Sequence, residues 1–234
     1  PAGAATGLLV HSVLEEVDLC DTERPETLET IRAVLHRYGQ PESLSDELLE
    51  VVQATARAGL SLNRDELGTI GSATHGIAEL EMLLPFEPGA RWKTRLEDAM
   101  REEGGLFARY ASSVRLLSVR QLGGFVRGFV DWVGVIADRS VVVDYKSNLL
   151  SSYEPADLER AMLEHHYPMQ ALVYVVALAR HLKRCGTQVA RGGAHYLFLR
   201  GLSGNESKSG VVSLHPSDAL LACLEEELLG GTSL

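Results

Sequence analysis

The chain has 234 residues, 45% of them hydrophobic and 23% charged, and its 32 acidic against 22 basic side chains leave a net charge of −10. That length suffices for one well-cored domain, the composition argues against wholesale disorder, and no apolar run nears the roughly 20 residues of a membrane span. The acidity argues against a broad non-specific nucleic-acid surface, but a metal site remains open, because a bound cation reverses the field of clustered carboxylates.

The opening Pro1-Ala2-Gly3-Ala4-Ala5-Thr6-Gly7 has neither an initiator Met nor the basic start of a signal peptide. It reads as a domain cut from a longer polypeptide, with processing as the other route to the same start. Cys20, Cys185 and Cys223 are scattered and form no CxxC. This argues against a structural zinc or a four-cysteine iron–sulfur cluster and for reduced thiols in a cytosolic protein.

In chain order, Thr6 is placed to cap a helix over 8–19, with Leu9, Val13 and Val17 at helical spacing. A second helix spans 28–38 and stops at Gly39-Gln40-Pro41. A third spans 46–58 with Gly59 as terminator. Residues 63–76 read as a loop, 78–84 as a strand and 92–103 as a short polar helix. Residues 125–136, a turn at Ala137-Asp138-Arg139 and residues 141–146 read as a β-hairpin, whose Val141-Val142-Val143 run suggests a strand buried on both faces. A long apolar helix follows over 168–185, then strands at 193–200 and 211–214 and a last helix over 217–229. The order predicts an α/β fold: a central sheet with a crossover helix, preceded by a helical portion.

Chemistry concentrates in the hairpin. Asp144 and Lys146 are two apart on a strand and leave the same face. An acid and a lysine at the end of a buried valine run are costly unless paired or metal-bound. Asp131 lies on the partner strand, close enough to share a cation with Asp144. Gly128 leaves room for a phosphate or a backbone to approach. Carboxylates with a backbone carbonyl make a hard-oxygen site suited to Mg²⁺, where Lys146 would orient a bound water or stabilise developing charge. Taken alone, Asp144–Lys146 also fits a surface ion pair on an edge strand, and His11 a helix histidine packed beside Leu8 and Leu14.

Gly128-Phe129-Val130-Asp131, then Asp144-Tyr145-Lys146-Ser147-Asn148, then Gln170 and Tyr174 one helical turn apart, resemble the PD-(D/E)xK nuclease superfamily. With Leu8–Glu15, Tyr167-Pro168-Met169-Gln170 and Tyr196–Gly201 in the same order, the pattern more narrowly resembles the C-terminal nuclease domains of RecB-type helicase–nucleases, over nearly the whole chain. The resemblance implies one nuclease domain over 1–234 with a restriction-endonuclease-like core at 77–234. Its mainly helical part at 1–76 would contribute His11. The resemblance further implies His11, Asp131 and Asp144 as side-chain metal ligands, the Tyr145 carbonyl as a further ligand, and Lys146 as the catalytic lysine. Glu81 matches the acidic residue on the preceding strand, with Glu79 on the same face as the alternative. Gln170 and Tyr174 would bond a phosphate or buttress the Lys146 strand.

The implied cofactor is Mg²⁺, with Mn²⁺ as substitute. The implied partners are linear DNA ends and unwound single strands, RecC- and RecD-like subunits, and a helicase part of the same polypeptide, in the bacterial cytoplasm and with no membrane. The chain has no G-x-x-x-x-G-K-[ST], so ATP would belong to that helicase part. The alternatives are a catalytically inactive nuclease fold that docks partners, and an AddA-like or stand-alone nuclease of the same superfamily.

Overall fold

The computed structural model describes residues 4–117, 124–202 and 209–229, so the start at Pro1–Gly3 lies outside the described residues. Three helices come first: α1 (Ala4–Glu16), α2 (Pro25–Arg37) and α3 (Ser45–Arg57). Helix α1 begins earlier than the sequence suggests, so Thr6 lies inside it and is not its cap. Pro25 opens α2, where its missing N–H is an orphan in any case. Gly39, at φ 63°, lets Gln40 N–H turn back to the Leu35 carbonyl and close the helix.

The expected loop at 63–76 is more ordered than a loop. A short antiparallel pair, β1 (Leu60–Ser61) and β2 (Leu67–Gly68), closes around Asn63, whose side chain accepts from Asp65 and Glu66 N–H. The long strand β3 already begins at His75 and runs to Pro85. Helix α4 (Trp92–Glu103) falls where the sequence places it, and a short α5 (Gly105–Tyr110) follows.

Strands β4 (Phe125–Ile136) and β5 (Arg139–Lys146) form the hairpin, joined by Ala137 and Asp138 alone. Both have positive φ, at 46° and 58°, which gives the two-residue turn whose twist matches the strands. Arg139 is already in the ladder, opposite Ile136. Helices α6 (Pro155–Glu164) and α7 (Tyr167–Arg184) then cross over to β6 (Ala190–Phe198), which lies parallel to β5. The chain ends in β7 (Val211–Leu214) and α8 (Asp218–Leu228).

The five long strands lie in the order β3-β4-β5-β6-β7, with β5 in the centre. Helices cover both faces. On one, Val142, Val130, Ala194 and Tyr196 pack with α4, α7 and α8; on the other, Val141, Val143, Tyr145 and Trp132 pack with α1–α3. Each fully buried valine contributes roughly 1.5–3 kcal/mol relative to exposure, so β5 is fixed from both sides. The result is the mixed α/β sandwich expected of a restriction-endonuclease-like core, with the helical front part docked onto the sheet.

Strands β3 and β4 each change faces partway along. On β3, Ala78 packs towards α1–α3, whereas Leu80, Met82 and Leu84 pack towards α7. On β4, Trp132 faces α1–α3 and Val130 faces α7. Residues two apart on a regular strand share a face, so each strand inverts at the residue between: Glu79, at φ 50°, and Asp131. The flanking pairs Ala78–Trp132 and Leu80–Val130 set these two opposite each other.

Candidate active site

The inversion delivers the Asp131 carboxylate to the α1 side of the sheet. Its Oδ1 lies 3.6 Å from His11 Nδ1 on α1, and its Oδ2 accepts from Tyr145 N–H at 2.5 Å. Asp131 thus ties the helical front part to the end of β5. His11 Nδ1, drawn to this carboxylate, has its pKa raised above the ordinary imidazole value, chiefly through the Asp131 hydrogen bond and against the effect of burial.

Across the sheet end, Asp144 is buried and its Oδ2 forms an ion pair with Lys146 Nζ. That oxygen gains no well-formed hydrogen bond from any described residue. Burial holds the Asp144 carboxyl at a pKa of about 6; the Lys146 charge opposes the rise and Asp131 adds to it. The ion pair is not a surface feature, because β5 is the central strand.

Lys146 is held from several sides. Its Nζ lies 3.9 Å from the centre of the Tyr167 ring and 5.3 Å from that of Tyr196, two faces that favour a cation. Nζ also donates to Gln170 Oε1 at 3.4 Å. Gln170 Nε2 donates to the Tyr174 hydroxyl at 3.0 Å, and that hydroxyl donates to the Phe129 carbonyl at 2.7 Å. Gln170 and Tyr174 therefore link the Lys146 side chain to the β4 backbone. A Cβ on Gly128 would meet Tyr174 Cε1 at 3.2 Å, so the space opened by this glycine receives the tyrosine ring.

The two candidate acids on β3 part company. Glu81 is exposed and pairs with Arg127 Nε at 2.6 Å. Glu79 sits opposite Asp131. Its carboxyl pKa is raised by burial first and by the charges of Asp131 and Glu15 next, while His11 lowers it. Of the two, Glu79 and not Glu81 therefore stands beside Asp131. Strand alternation treats the two as equivalent, and only the positive φ at Glu79 separates them. Tyr167 and Tyr196 are the other site residues to which sequence reasoning gave no role, although both lie in the stretches that carried the resemblance.

Among the described residues, no group of three or more His, Cys, Asp or Glu side chains is placed to hold a metal ion, so His11, Asp131 and Asp144 are not gathered into one ligand set. The donor chemistry nonetheless fits a hard divalent cation. Two carboxylates and an imidazole face the sheet end, and one buried carboxylate oxygen lacks a hydrogen bond. A cation there would relieve the burial that holds Asp144 towards its protonated form. His165 stacks on Tyr167 and bonds Asn148, and His166 bonds the Tyr110 hydroxyl, so both serve packing around α7.

The chain is similar in sequence to known proteins over nearly its whole length. The chain is 29% identical over 244 residues to the RecBCD enzyme subunit RecB of Escherichia coli (strain K12), covering 99% of this chain and 20% of that protein. It is 31% identical to RecB of Haemophilus influenzae, covering 96% of this chain and 18% of that protein, and 28% identical to RecB of Mycobacterium tuberculosis, covering 97% and 24%. The chain thus spans about a fifth of the length of the curated relatives it matches. A family model for the PD-(D/E)XK nuclease superfamily matches residues 1–229, and with that match across nearly its whole length the chain belongs to the PD-(D/E)XK nuclease superfamily.

Proposed function

We propose that this chain is the Mg²⁺-dependent DNA nuclease domain of a RecB-type helicase–nuclease, hydrolysing phosphodiester bonds of the exodeoxyribonuclease V type in double-strand-break processing and recombinational repair. The observation that carries the reading is the buried Asp144–Lys146 pair on the central strand, with Asp131 and His11 brought to the same sheet end by β4 and α1. His11, Asp131, Asp144 and the Tyr145 carbonyl would hold the metal, with Mn²⁺ as a substitute for Mg²⁺. When bound, the ion supplies Lewis acidity to the scissile phosphate and lowers the pKa of a coordinated water.

The protein's own groups do the rest. Lys146, fixed by Tyr167, Tyr196 and Gln170, presents a positive charge where the phosphoryl oxygens gain negative charge, and preorganisation of that kind is worth several kcal/mol in other enzymes. The Gln170–Tyr174–Phe129 link holds the lysine in register with β4. Asp131, anchored by Tyr145 N–H, keeps His11 turned inward. Glu79 adds a further carboxylate next to Asp131.

By analogy with the relatives' name, the working partners would be RecC- and RecD-like subunits and a helicase part of the same polypeptide, which would bind ATP and feed DNA ends and unwound strands to this domain in the bacterial cytoplasm. Among the described residues no helix is long and apolar enough to cross a membrane. Matched DNA and RNA strands incubated with the purified chain, with Mg²⁺ and with EDTA, test the reading. Cleavage of DNA that requires Mg²⁺ and is lost in Asp144→Ala is expected. A wild-type chain whose Mg²⁺ and Mn²⁺ affinity is no better than that of Asp144→Ala would instead identify an inactive docking module.

A further inference from the structure

We propose that the open face of β4 carrying Phe125, Arg127 and Phe129 is a stacking track that guides a single DNA strand to Asp131; the proposal deepens the nuclease reading above and rests on it. Alternate residues of β4 from Phe125 to Asp131 share one face, and the opposite face, with Val126, Gly128 and Val130, is turned to α7. At its Asp131 end this face meets His11 of α1. Short of that point it carries unusual groups for a water-facing surface: Phe125 is 55% exposed, Phe129 45%, and Leu83 on the neighbouring strand 60%.

Four features point to a nucleic-acid strand and away from a protein surface. The apolar groups do not merge into a dry patch, because Arg127 stands between the two phenylalanines and pairs with Glu81. The Arg127 guanidinium lies 5.1 Å from the centre of the Phe129 ring, and an aromatic ring beside a cation suits a base and its phosphate together. Same-face residues recur about every 6.6 Å along a strand, which offers successive ring and cation contacts to successive nucleotides. The track also ends on the carboxylates where the scissile phosphate must lie. Because every base has a π-face, stacking of this kind works for any sequence, and Arg127 supplies a local cation beside the rings on a chain whose net charge is −10. The backbone beneath Phe129 is anchored, since its carbonyl accepts from the Tyr174 hydroxyl.

The test uses the whole chain and a short dye-labelled oligothymidylate in EDTA, read by fluorescence anisotropy, so that binding is measured without cleavage. Phe129→Ala is expected to weaken binding on the order of tenfold, and Phe129→Trp to restore it. Arg127→Ala should lower the dependence of log affinity on log salt by about one contact's worth. An oligomer of abasic residues separates stacking from folding damage: the wild type should bind it no more tightly than Phe129→Ala binds oligothymidylate, because Phe125 stacking is lost as well, and on this oligomer Phe129→Ala should bind as the wild type does. Unchanged oligothymidylate binding by Phe129→Ala, or an equal loss on both oligomers, would overturn the track. An Asp144→Asn chain should keep its binding in EDTA and lose cleavage in Mg²⁺. Absence of metal-dependent cleavage by the wild type would therefore refute the nuclease reading and leave the stacking result legible.

Discussion

Acidification from pH 7.5 to 5.0 should remove about 2 kcal/mol of folding stability through a single side chain, His195. This residue lies on β6 and is fully buried. Its Nε2 lies 3.0 Å from the Gly192 carbonyl, which can only accept, so Nε2 carries the hydrogen; its Nδ1, 2.9 Å from Ser213 Oγ, then accepts from that hydroxyl. Both nitrogens are satisfied in the neutral ring, and a second proton would have to displace the Ser213 bond. Burial pushes the pKa down to about 3, and the neighbouring His215 pushes the same way. In the unfolded chain the imidazole titrates near 6.5. A depressed folded pKa means stability is full above the unfolded value and is lost as pH falls towards the folded one, because only the unfolded chain takes up the proton. Between pH 7.5 and 5.0 the unfolded imidazole goes from about one-tenth to almost fully protonated while the folded ring stays neutral, which gives the figure of about 2 kcal/mol. Urea titrations at the two pH values would measure it, with His195→Gln as reference, since a glutamine amide offers one acceptor and one donor but does not titrate. The difference between the two proteins' pH dependences isolates His195. If the wild type and His195→Gln lose stability in parallel, the buried neutral tautomer is wrong.

Two further expectations concern the active-site end. Glu79→Gln should lower metal-dependent cleavage by at least about tenfold, whereas Glu81→Gln should change it less than about threefold, since Glu81 is exposed and pairs with Arg127 on the open face; steady-state rates at fixed Mg²⁺ decide, and the reverse order would return the role to Glu81. The Tyr145 hydroxyl is buried with no hydrogen-bond partner among the described residues, and an unsatisfied polar group of that kind costs about 1–3 kcal/mol. Tyr145→Phe should accordingly raise stability by about 1 kcal/mol in chemical denaturation without loss of cleavage, and a destabilised variant would mean that the hydroxyl has a partner.

Local signals carried much of this fold. The valine run of β5 is β-branched and apolar on both faces, so it reads as a central strand without reference to anything distant. Helices α2, α3 and α4 announce themselves by their periodicity and their glycine or proline borders. Helix α6 carries the same kind of signal, with Pro155 at its start and Leu158, Ala161 and Met162 at i, i+3, i+4 spacing, although the sequence reading assigns no element there. The strand inversions at Glu79 and Asp131, by contrast, leave no local signal. A positive φ at a glutamate has no compositional mark, and without it the choice between Glu79 and Glu81 cannot be made from alternation. The apposition of His11 and Asp131 spans 120 positions of sequence, and no local pattern encodes such a meeting; only the resemblance of the whole ordered motif set foretold it.

The paired inversion in β3 and β4 divides the ladder between these two strands into two parts with different tolerances. On the side of the turn to β5, the strands are clamped between two helical layers, and a one-residue slip would move every core side chain to the wrong face. On the far side, Leu83, Phe125, Arg127 and Phe129 lie on a ribbon whose outer face no helix of the described residues covers. Lengthening that ribbon by matched pairs of residues leaves Glu79 opposite Asp131 and the core register intact. The fold therefore has an adaptable handle attached to an invariant socket: the approach to the carboxylates can be rebuilt in evolution or by design while the carboxylates themselves stay where they are.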